Sequence, residues 1–564
     1  MKRFKIFLFS VSIVGLSACS LFNEAPVITL NKSFETTYDL GSTEPNWIDA
    51  VEVTDKEDGT IALTDDQVNT IDVDMNTAGS FDVIYSVTDS GGATTEKTIR
   101  ITILDKLIVW SITDELQTQG DIAYWEEKYS QKYNGLEVEF KVIPTEDYVS
   151  TILPLLQSGE GAPDVFTGLI DMIKQFIQEG YLADLEQMIK DDVDIDISTV
   201  ESDFIDYVWE SGMDKSGTLR ALSFDSTPGA IFFRTDLAEK VWPEWDLVTP
   251  SEHAPTNVVT DDDGTYMYIY DFMSYEKFNT IEQLAVTAKE VVDSEQNIKL
   301  FPNEDSIRFF DSGREPKRWI VNGSLNPEHM HDVIDYMQVA KQFHSEDLKS
   351  TYTANTPDWS HEWFAGMRGP IKPVDSDQEY EIMAYSLPTW GLFHVIEPNA
   401  KKNDNNSNVN DGTYGKWRVA NGPNAYFWGG TFFGIYNKSE KKDAAYDFVK
   451  SITLDTERMY ERAQSNGDMY SRISIMERIA DQYEGNPLLG GQNHFDYFLT
   501  EAQKIDVSHV TEYDRQLDTI LRTYVDQYKK DEKTLQEALD DFYSEVKATF
   551  GDDFIPNNLP TSPE

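Results

Sequence analysis

The residues best suited to chemistry in this chain are aromatic and acidic. There are 12 Trp, 28 Tyr and 30 Phe, and eleven of the tryptophans lie beyond residue 105. Most large aromatics pack in cores, and Trp is highly buried on average. Several here instead adjoin Gly, Pro or Asp in stretches that read as loops: Asp358-Trp359, Pro388-Thr389-Trp390-Gly391 and Tyr426-Phe427-Trp428-Gly429-Gly430. An aromatic face on a loop, beside carboxylates and amides, suits a sugar ring. The C–H face of the sugar stacks on the aromatic while its hydroxyls bond to polar edges. As a set, these residues predict a ligand cleft.

Catalytic signatures are missing. The chain has no GxxxxGK[ST] phosphate loop and no GxSxG nucleophile elbow. His361-Glu362-Trp363-Phe364-Ala365 begins like a zinc-protease helix but carries Ala where the second histidine ligand must stand. His329 and His331 are spaced i and i+2, which do not share a helical face. The acidic runs at residues 191–196, 261–264 and 404–412 suggest calcium. However, Val409 occupies the position an EF-hand reserves for its turn glycine. Solvated turns explain such Asp-, Asn- and Gly-rich runs better. A glycosidase carboxylate pair is set by spacing in three dimensions and leaves no sequence signature. No cofactor, metal ligand set or catalytic residue is therefore assigned.

The 47 Lys and Arg against 100 Asp and Glu leave a net charge of −53. Such a charge repels nucleic-acid backbones and anionic membrane surfaces. The single cysteine, Cys19, excludes internal disulfides and cysteine zinc clusters. Its setting explains it. Lys2, Arg3 and Lys5 precede a short apolar run over residues 6–16, then Ser17, Ala18 and Cys19. This is the layout of a secretory signal, too short for a spanning helix. Leu16-Ser17-Ala18-Cys19 resembles the bacterial lipobox. That resemblance implies cleavage after residue 18, lipid on the Cys19 thiol and attachment at the outer face of the cell membrane.

Two architectures follow one another. Over residues 25–105, short β-type runs such as Val27-Ile28-Thr29-Leu30 and Phe81-Asp82-Val83-Ile84-Tyr85-Ser86-Val87 alternate with turns at Asp58-Gly59, Ala78-Gly79 and Asp89-Ser90-Gly91-Gly92. They predict a small all-β sandwich, and the segment resembles bacterial immunoglobulin-like surface domains. No catalytic set is visible in it, and a spacer role is expected. From residue 106, strands such as Leu107-Ile108-Val109-Trp110 alternate with helical stretches. This alternation predicts an α/β fold with a mainly parallel sheet. Helices are expected at 441–452, 455–464, 512–528 and 533–550, and polar inserts at 250–265 and 401–412. The expected organisation is signal peptide 1–18, tether 19–24, sandwich 25–105, a larger domain over 106–555 and a loose tail over 556–564.

Four ordered stretches beyond residue 105 resemble the carbohydrate-binding group of extracellular solute-binding proteins of ABC importers. They are Leu107-Ile108-Val109-Trp110 to Asp114; Gly161-Ala162-Pro163-Asp164-Val165-Phe166; Gly217 to Asp225 running into Ile231-Phe232-Phe233-Arg234; and Trp428-Gly429-Gly430-Thr431 to Phe448. The resemblance implies a two-lobed, type II binding-protein fold. Its hinge crossings would lie near 224–228 and 428–430. Closure of the lobes on a sugar or oligosaccharide would be read by the membrane subunits of a permease. By position in the family it also implies ligand contacts from Asp114, Gly168, Asp171, Asp225, Thr227, Trp390 and Trp428. The family's usual Tyr-Asn-Lys after the first crossing is Phe233-Arg234-Thr235 here. A monomer without catalysis is expected; an acidic cleft would suit neutral or cationic ligands and disfavour uronates or sugar phosphates. The alternatives are a polysaccharide-binding adhesin, an exported glycoside hydrolase, or a receptor for peptides or polyamines.

Overall fold

The structure is a computed structural model. It describes residues 23–133, 135–247, 259–261, 264–266, 268–312, 318–344, 350–373, 377–401 and 412–562. The expected signal peptide, Cys19 and most of both polar inserts lie outside the described residues. The chain divides into two compact units. The first comprises residues up to Leu107 with Glu126–Glu139; the second comprises Ile108–Trp125 with Phe140–Glu564.

In the first unit the alternating runs become strands: Val27–Leu30 (β1), Thr37–Asp39 (β2), Val51–Asp55 (β3), Gly59–Ile61 (β4), Val68–Asn69 (β5), Gly79–Thr88 (β6) and Thr94–Leu104 (β7). They form two sheets, in the orders β1-β3-β4 and β2-β7-β6-β5. Alternate residues of β6 and β7 point inward, as a period of two requires. Val83, Tyr85, Val87, Ile99, Ile101 and Ile103 thereby share one core with Ile28 and Val53. The Tyr85 hydroxyl is satisfied inside that core, donating to the Trp47 carbonyl at 2.9 Å.

The second unit has two lobes. Its strands are Lys106–Ser111 (β8, from Ile108 on), Glu137–Val142 (β9, from Phe140 on), Val165–Gly168 (β10), Ala221–Ser223 (β11), Gly229–Arg234 (β12), Ala384–Pro388 (β13), Trp417–Ala420 (β14) and Phe432–Ile435 (β15). Sheet order in the first lobe is β11-β15-β10-β8-β9, and in the second β13-β12-β14. The central strand β10 is buried along its whole length, as expected of a strand covered on both faces.

The expectation of a mainly parallel sheet needs correction. β8 and β10 pair in parallel, but β15 runs antiparallel to both β10 and β11. β12 is antiparallel to both of its neighbours. The reason lies in the connections. A strand that re-enters its sheet from the other lobe need not obey the helical crossover that makes βαβ neighbours parallel.

The helices that position the site are Ile170–Gln178 (α1), Pro327–Phe343 (α2), His361–Arg368 (α3), Lys442–Thr453 (α4), Thr456–Asn466 (α5), Asp514–Lys529 (α6) and Leu535–Phe550 (α7). α2 starts cleanly because Asn326 caps it, accepting from Glu328 N, and Pro327 opens its first turn. α6 is amphipathic. Leu517, Ile520, Leu521 and Val525 enter the core of the second lobe with Phe542 and Val546 of α7. This leaves Arg515, Asp518 and Arg522, spaced i, i+3 and i+7, on another face.

Residues 556–562 are not loose as expected. Leu559 packs on the core of the second lobe, and the Tyr543 hydroxyl donates to the Pro560 carbonyl at 2.7 Å. A helix spans Ile281–Asp293, and a short helix, Ile269–Phe272, precedes it. Among the described residues, no helix is long and apolar enough to cross a membrane.

Candidate functional site

The lobes are joined by chain crossings that bond to one another. The first crossing links β11 to β12 and the second links β14 to β15. Gly229 N donates to Tyr426 O at 2.8 Å and Trp428 N to Thr227 O at 3.1 Å. Asp225, from the first crossing, accepts from Thr431 N of the second at 2.8 Å and also from the Ser223 hydroxyl. The segment after α5 runs alongside, with Ser226 N donating to Met469 O at 3.1 Å and Ser471 N to Phe224 O at 2.8 Å. Gly429 and Gly430 have φ of +97° and +96°, a region that L side chains rarely adopt. The glycine pair is what lets the second crossing turn here.

Where the lobes meet, a cleft of about 590 Å³ opens. The first lobe contributes Asp171, from the first turn of α1, and the second crossing contributes Trp428. The second lobe contributes Arg308 and Trp319, with Arg515, Asp518 and Arg522 from the polar face of α6.

The net negative charge of the chain does not carry into the cleft lining. The lining holds four cations, Arg308, Lys504, Arg515 and Arg522, against four acids, Asp171, Asp506, Asp514 and Asp518. The ion pairs are local: Arg308–Asp518 at 2.6 Å, Arg522–Asp305 at 2.9 Å and Arg515–Asp171 at 3.2 Å. The last pair joins the two lobes. So does Lys215–Glu512, at 3.3 Å. Burial pushes the Asp514 carboxyl up to about 7, and the nearby Asp171 and Glu512 charges add to the shift. Asp514 therefore contributes less than a full negative charge at neutral pH.

An aromatic wall adjoins the lining. The rings of Trp390 and Trp428 lie 5.4 Å apart, steeply inclined at 71°, and the Trp390 indole N–H donates to the Trp428 carbonyl at 3.0 Å. Trp359 lies nearly parallel to Trp390, at 6.1 Å and 15°, and edge-on to Trp428, at 6.3 Å and 80°.

A second charged cluster lies beside the crossings. Arg462 is almost fully buried. It bonds Glu115 at 2.8 Å, pairs with Asp121 at 2.7 Å and lies over the Phe224 ring at 4.3 Å. Burial raises the Glu115 carboxyl to about 8 against the pull of Arg462, with help from Asp225 and Asp468. Asp468 is raised to about 7, by burial first and then by Asp225. Asp225 itself is also raised, chiefly by burial. Among the described residues, no group of three or more His, Cys, Asp or Glu is placed to hold a metal ion.

The structure thus brings Asp171 and Trp428 together in the lining of one cleft, with Trp390 against Trp428. Asp225 and Thr227 lie in the first crossing, where both are buried and tied to the second. Gly168 is buried at the end of β10, where an added Cβ would stand 3.3 Å from the Met172 Cβ. Close approach of α1 is sufficient reason for a glycine there. Asp114 stands exposed after β8, at the start of a one-turn helix that its side chain does not cap. The departure at Arg234 is structural. Its buried guanidinium grips Asp236 with two bonds, at 2.7 and 2.8 Å, and Glu381 at 3.2 Å. Sequence reasoning missed Arg308, Trp319, Arg515, Asp518 and Arg522. The signal that would have found three of them is the charged stripe on α6.

The family described as bacterial extracellular solute-binding protein matches residues 125–488, more than half of the chain. Solved structures agree in fold. An extracellular solute-binding protein of family 1 is 13% identical, with a TM-score of 0.60 over 79% of this chain and 100% of its own. An ABC-transporter-associated binding protein of B. animalis subsp. lactis, solved with β-1,6-galactobiose, is 18% identical. Its TM-score is 0.52 over 81% of this chain and 99% of its own. An ABC substrate-binding protein of Listeria monocytogenes, in complex with cycloalternan, is 13% identical, with a TM-score of 0.54 over 79% and 98%. With a family match across both lobes and both crossings, this chain belongs to the bacterial extracellular solute-binding proteins.

Proposed function

We propose that this chain is the substrate-binding lipoprotein of an ABC importer, capturing a neutral sugar or oligosaccharide between its lobes and delivering it to a membrane permease. One observation carries the reading: an indole pair, Trp390 and Trp428, adjoins a cleft whose four cations each have a carboxylate partner. An indole face stacks on the C–H face of a sugar. Paired guanidinium and carboxylate groups keep spare N–H donors and lone pairs for hydroxyls. Because each of the four lining cations already has a carboxylate partner, an anionic ligand gains little there and a neutral polyol loses nothing. Such contacts suffice for micromolar affinity, about −8 kcal/mol.

Asp171, Trp390 and Trp428 act as direct contacts in this reading, and Asp225 and Thr227 as the hinge that carries them. Asp114 and Gly168 flank the first-lobe side. Closure of the lobes on ligand gives the permease a shape to read. Lipid on Cys19 tethers the chain, the β-rich first unit is an immunoglobulin-like spacer, and no reaction is catalysed. The galactobiose and cycloalternan complexes of the structural relatives support a saccharide as cargo.

The test is a titration of the purified chain with neutral oligosaccharides, amino sugars and polyamines, followed by tryptophan fluorescence. Saturable binding of one saccharide class, lost in Trp428→Ala, is the expected result. A response to polyamines alone would overturn the choice of cargo.

A further inference from the structure

The segment that leads into α6 meets the first lobe, and the two surfaces do more than attract each other. Beside the main cleft a smaller pocket of about 200 Å³ opens between the lobes. Lys174, Glu210 and Lys215 line it from the first lobe, and Arg318, Ser508 and Glu512 from the second. The pairs Lys215–Glu512 and Arg515–Asp171, at 3.3 and 3.2 Å, hold this seam. Asp514 lies between their second-lobe members and lines the main cleft together with Asp171.

Asp514 takes little from the pairs around it. Arg515 turns its guanidinium to Asp171, and Lys215 turns its ammonium to Glu512. The Asp514 carboxylate instead accepts from the Thr511 hydroxyl of its own segment. Besides burial, the charges that raise it are Asp171, across the seam on α1, and Glu512, both negative. Separating the lobes returns Asp514 to water and takes Asp171 away. Its carboxyl, at about 7 with the lobes together, then moves toward the ordinary value near 4. Between those values the closed form holds a proton that the open form has lost, so closure weakens as pH rises.

The other titratable groups of the seam do not cancel this. Glu210 is also raised, by burial and then by Asp206 and by Asp506 of the second lobe, and acts in the same sense. Lys174 is lowered to about 8 by burial, against the pull of Glu210 and Glu512, so it responds above the window. His509 is lowered by burial, but the charges acting on it, Asp506, His329 and Arg318, share its lobe and travel with it.

We infer that the proton on Asp514 is a closure signal: an uncharged Asp514 lets α1 seat against α6, and an ionised one repels Asp171 and drives the lobes apart, so the receptor grips its cargo more firmly at acid than at mildly alkaline pH. This rests on the closing cleft proposed above, and not on the cargo being a sugar.

The experiment measures the radius of gyration of the ligand-free full chain by solution scattering, from pH 5 to 8 at low salt. It compares the parent with Asp514→Asn, Asp514→Ser and His509→Gln, with folding checked by circular dichroism. The radius should grow with pH in the parent and in His509→Gln, and stay at its pH 5 value in both Asp514 variants. For any neutral oligosaccharide that binds, affinity should fall about 10-fold from pH 5 to 8 in the parent and less than about 2-fold in Asp514→Asn. A radius that ignores pH, or growth that persists in the Asp514 variants, overturns the inference. Loss of the growth in His509→Gln also overturns it, because the proton would then sit on the imidazole. If no saccharide binds, the choice of cargo falls while the radius still decides the inference.

Discussion

The pair Asp171–Arg515 joins α1 of the first lobe to α6 of the second, and it exists only while the lobes are this close. Removing it therefore penalises the closed form alone. The charges lie 3.2 Å apart, but their side chains are 28% and 41% exposed, so water and salt screen them. For pairs of this exposure a net contribution of about 0.2–1 kcal/mol applies, a factor of about 1.4 to 5 in the closed-to-open ratio. Arg515→Gln also leaves Asp171 facing Asp514 without a cation between them, which places the expected effect at the upper end of that range. The assay is a double-mutant cycle over Asp171→Asn and Arg515→Gln. It is read by the radius of gyration from solution scattering and by saccharide affinity, at low and high salt. Each single variant should expand the molecule and weaken binding up to about 5-fold, the double variant should add little, and high salt should shrink the differences. The charge swap Asp171→Arg with Arg515→Asp should restore closure. Strictly additive effects, or a radius that no variant changes at low salt, would refute the claim that this pair acts across the hinge.

Two further predictions concern stability. Glu115, Asp468 and Asp514 have folded pKa values raised to about 8, 7 and 7, above the unfolded range near 4. The folded state therefore holds more protons, and its stability falls as pH rises from about 4 through 8. His494, lowered to about 4 by burial, acts in the opposite sense below its unfolded value, as do His344 and His509, also lowered by burial; above about 6.5 only the raised carboxyls continue to titrate. The thermal midpoint should drop between pH 5 and 8, and Glu115→Gln should flatten the drop; a midpoint that rises over that interval contradicts the assignment. Gly229→Ala would place a Cβ 1.9 Å from the buried Tyr426 ring, which Phe310 holds edge-on at 4.9 Å. Overpacking of this kind costs about 1–3 kcal/mol, visible as a lower midpoint in calorimetry; an unchanged midpoint would mean that the crossings are softer than their hydrogen bonds imply.

Much of the architecture was legible because it rests on local pattern. The stretch around Leu107-Ile108-Val109-Trp110 became β8, and the C-terminal helices fell within a few residues of their expected bounds, as at Asp514–Lys529 and Leu535–Phe550. Apolar spacing fixes such elements, whereas strand direction depends on where the chain has been. That is why β15, returning from the other lobe, was not foreseen as antiparallel. The site was legible in part. Trp390 and Trp428 stood out as loop aromatics and do meet. Asp358-Trp359 stood out too, but its left-handed backbone and solvent-facing ring have no signature in residue type. Arg515 and Asp171 are 344 positions apart, and only the packing of α6 brings them together.

The contrast between the whole chain and its cleft bears on ligand choice. A net charge of −53 would draw cations toward the molecule as a whole. Selection at contact is decided over a shorter range, because at physiological salt a charge is screened within about 8 Å. Within that range the cleft offers acids and bases in equal number, several already paired at 2.6 to 3.2 Å, and Asp514 is raised toward neutrality. An anion arriving there must displace a carboxylate to gain a guanidinium, and a cation must do the reverse at Asp171 and Asp518. A neutral polyol displaces neither. It takes the spare donors and acceptors of the pairs and covers indole faces that otherwise meet water. The acidity of the chain thus lies mostly outside the cleft, which is consistent with the proposed choice of an uncharged, hydroxyl-rich ligand.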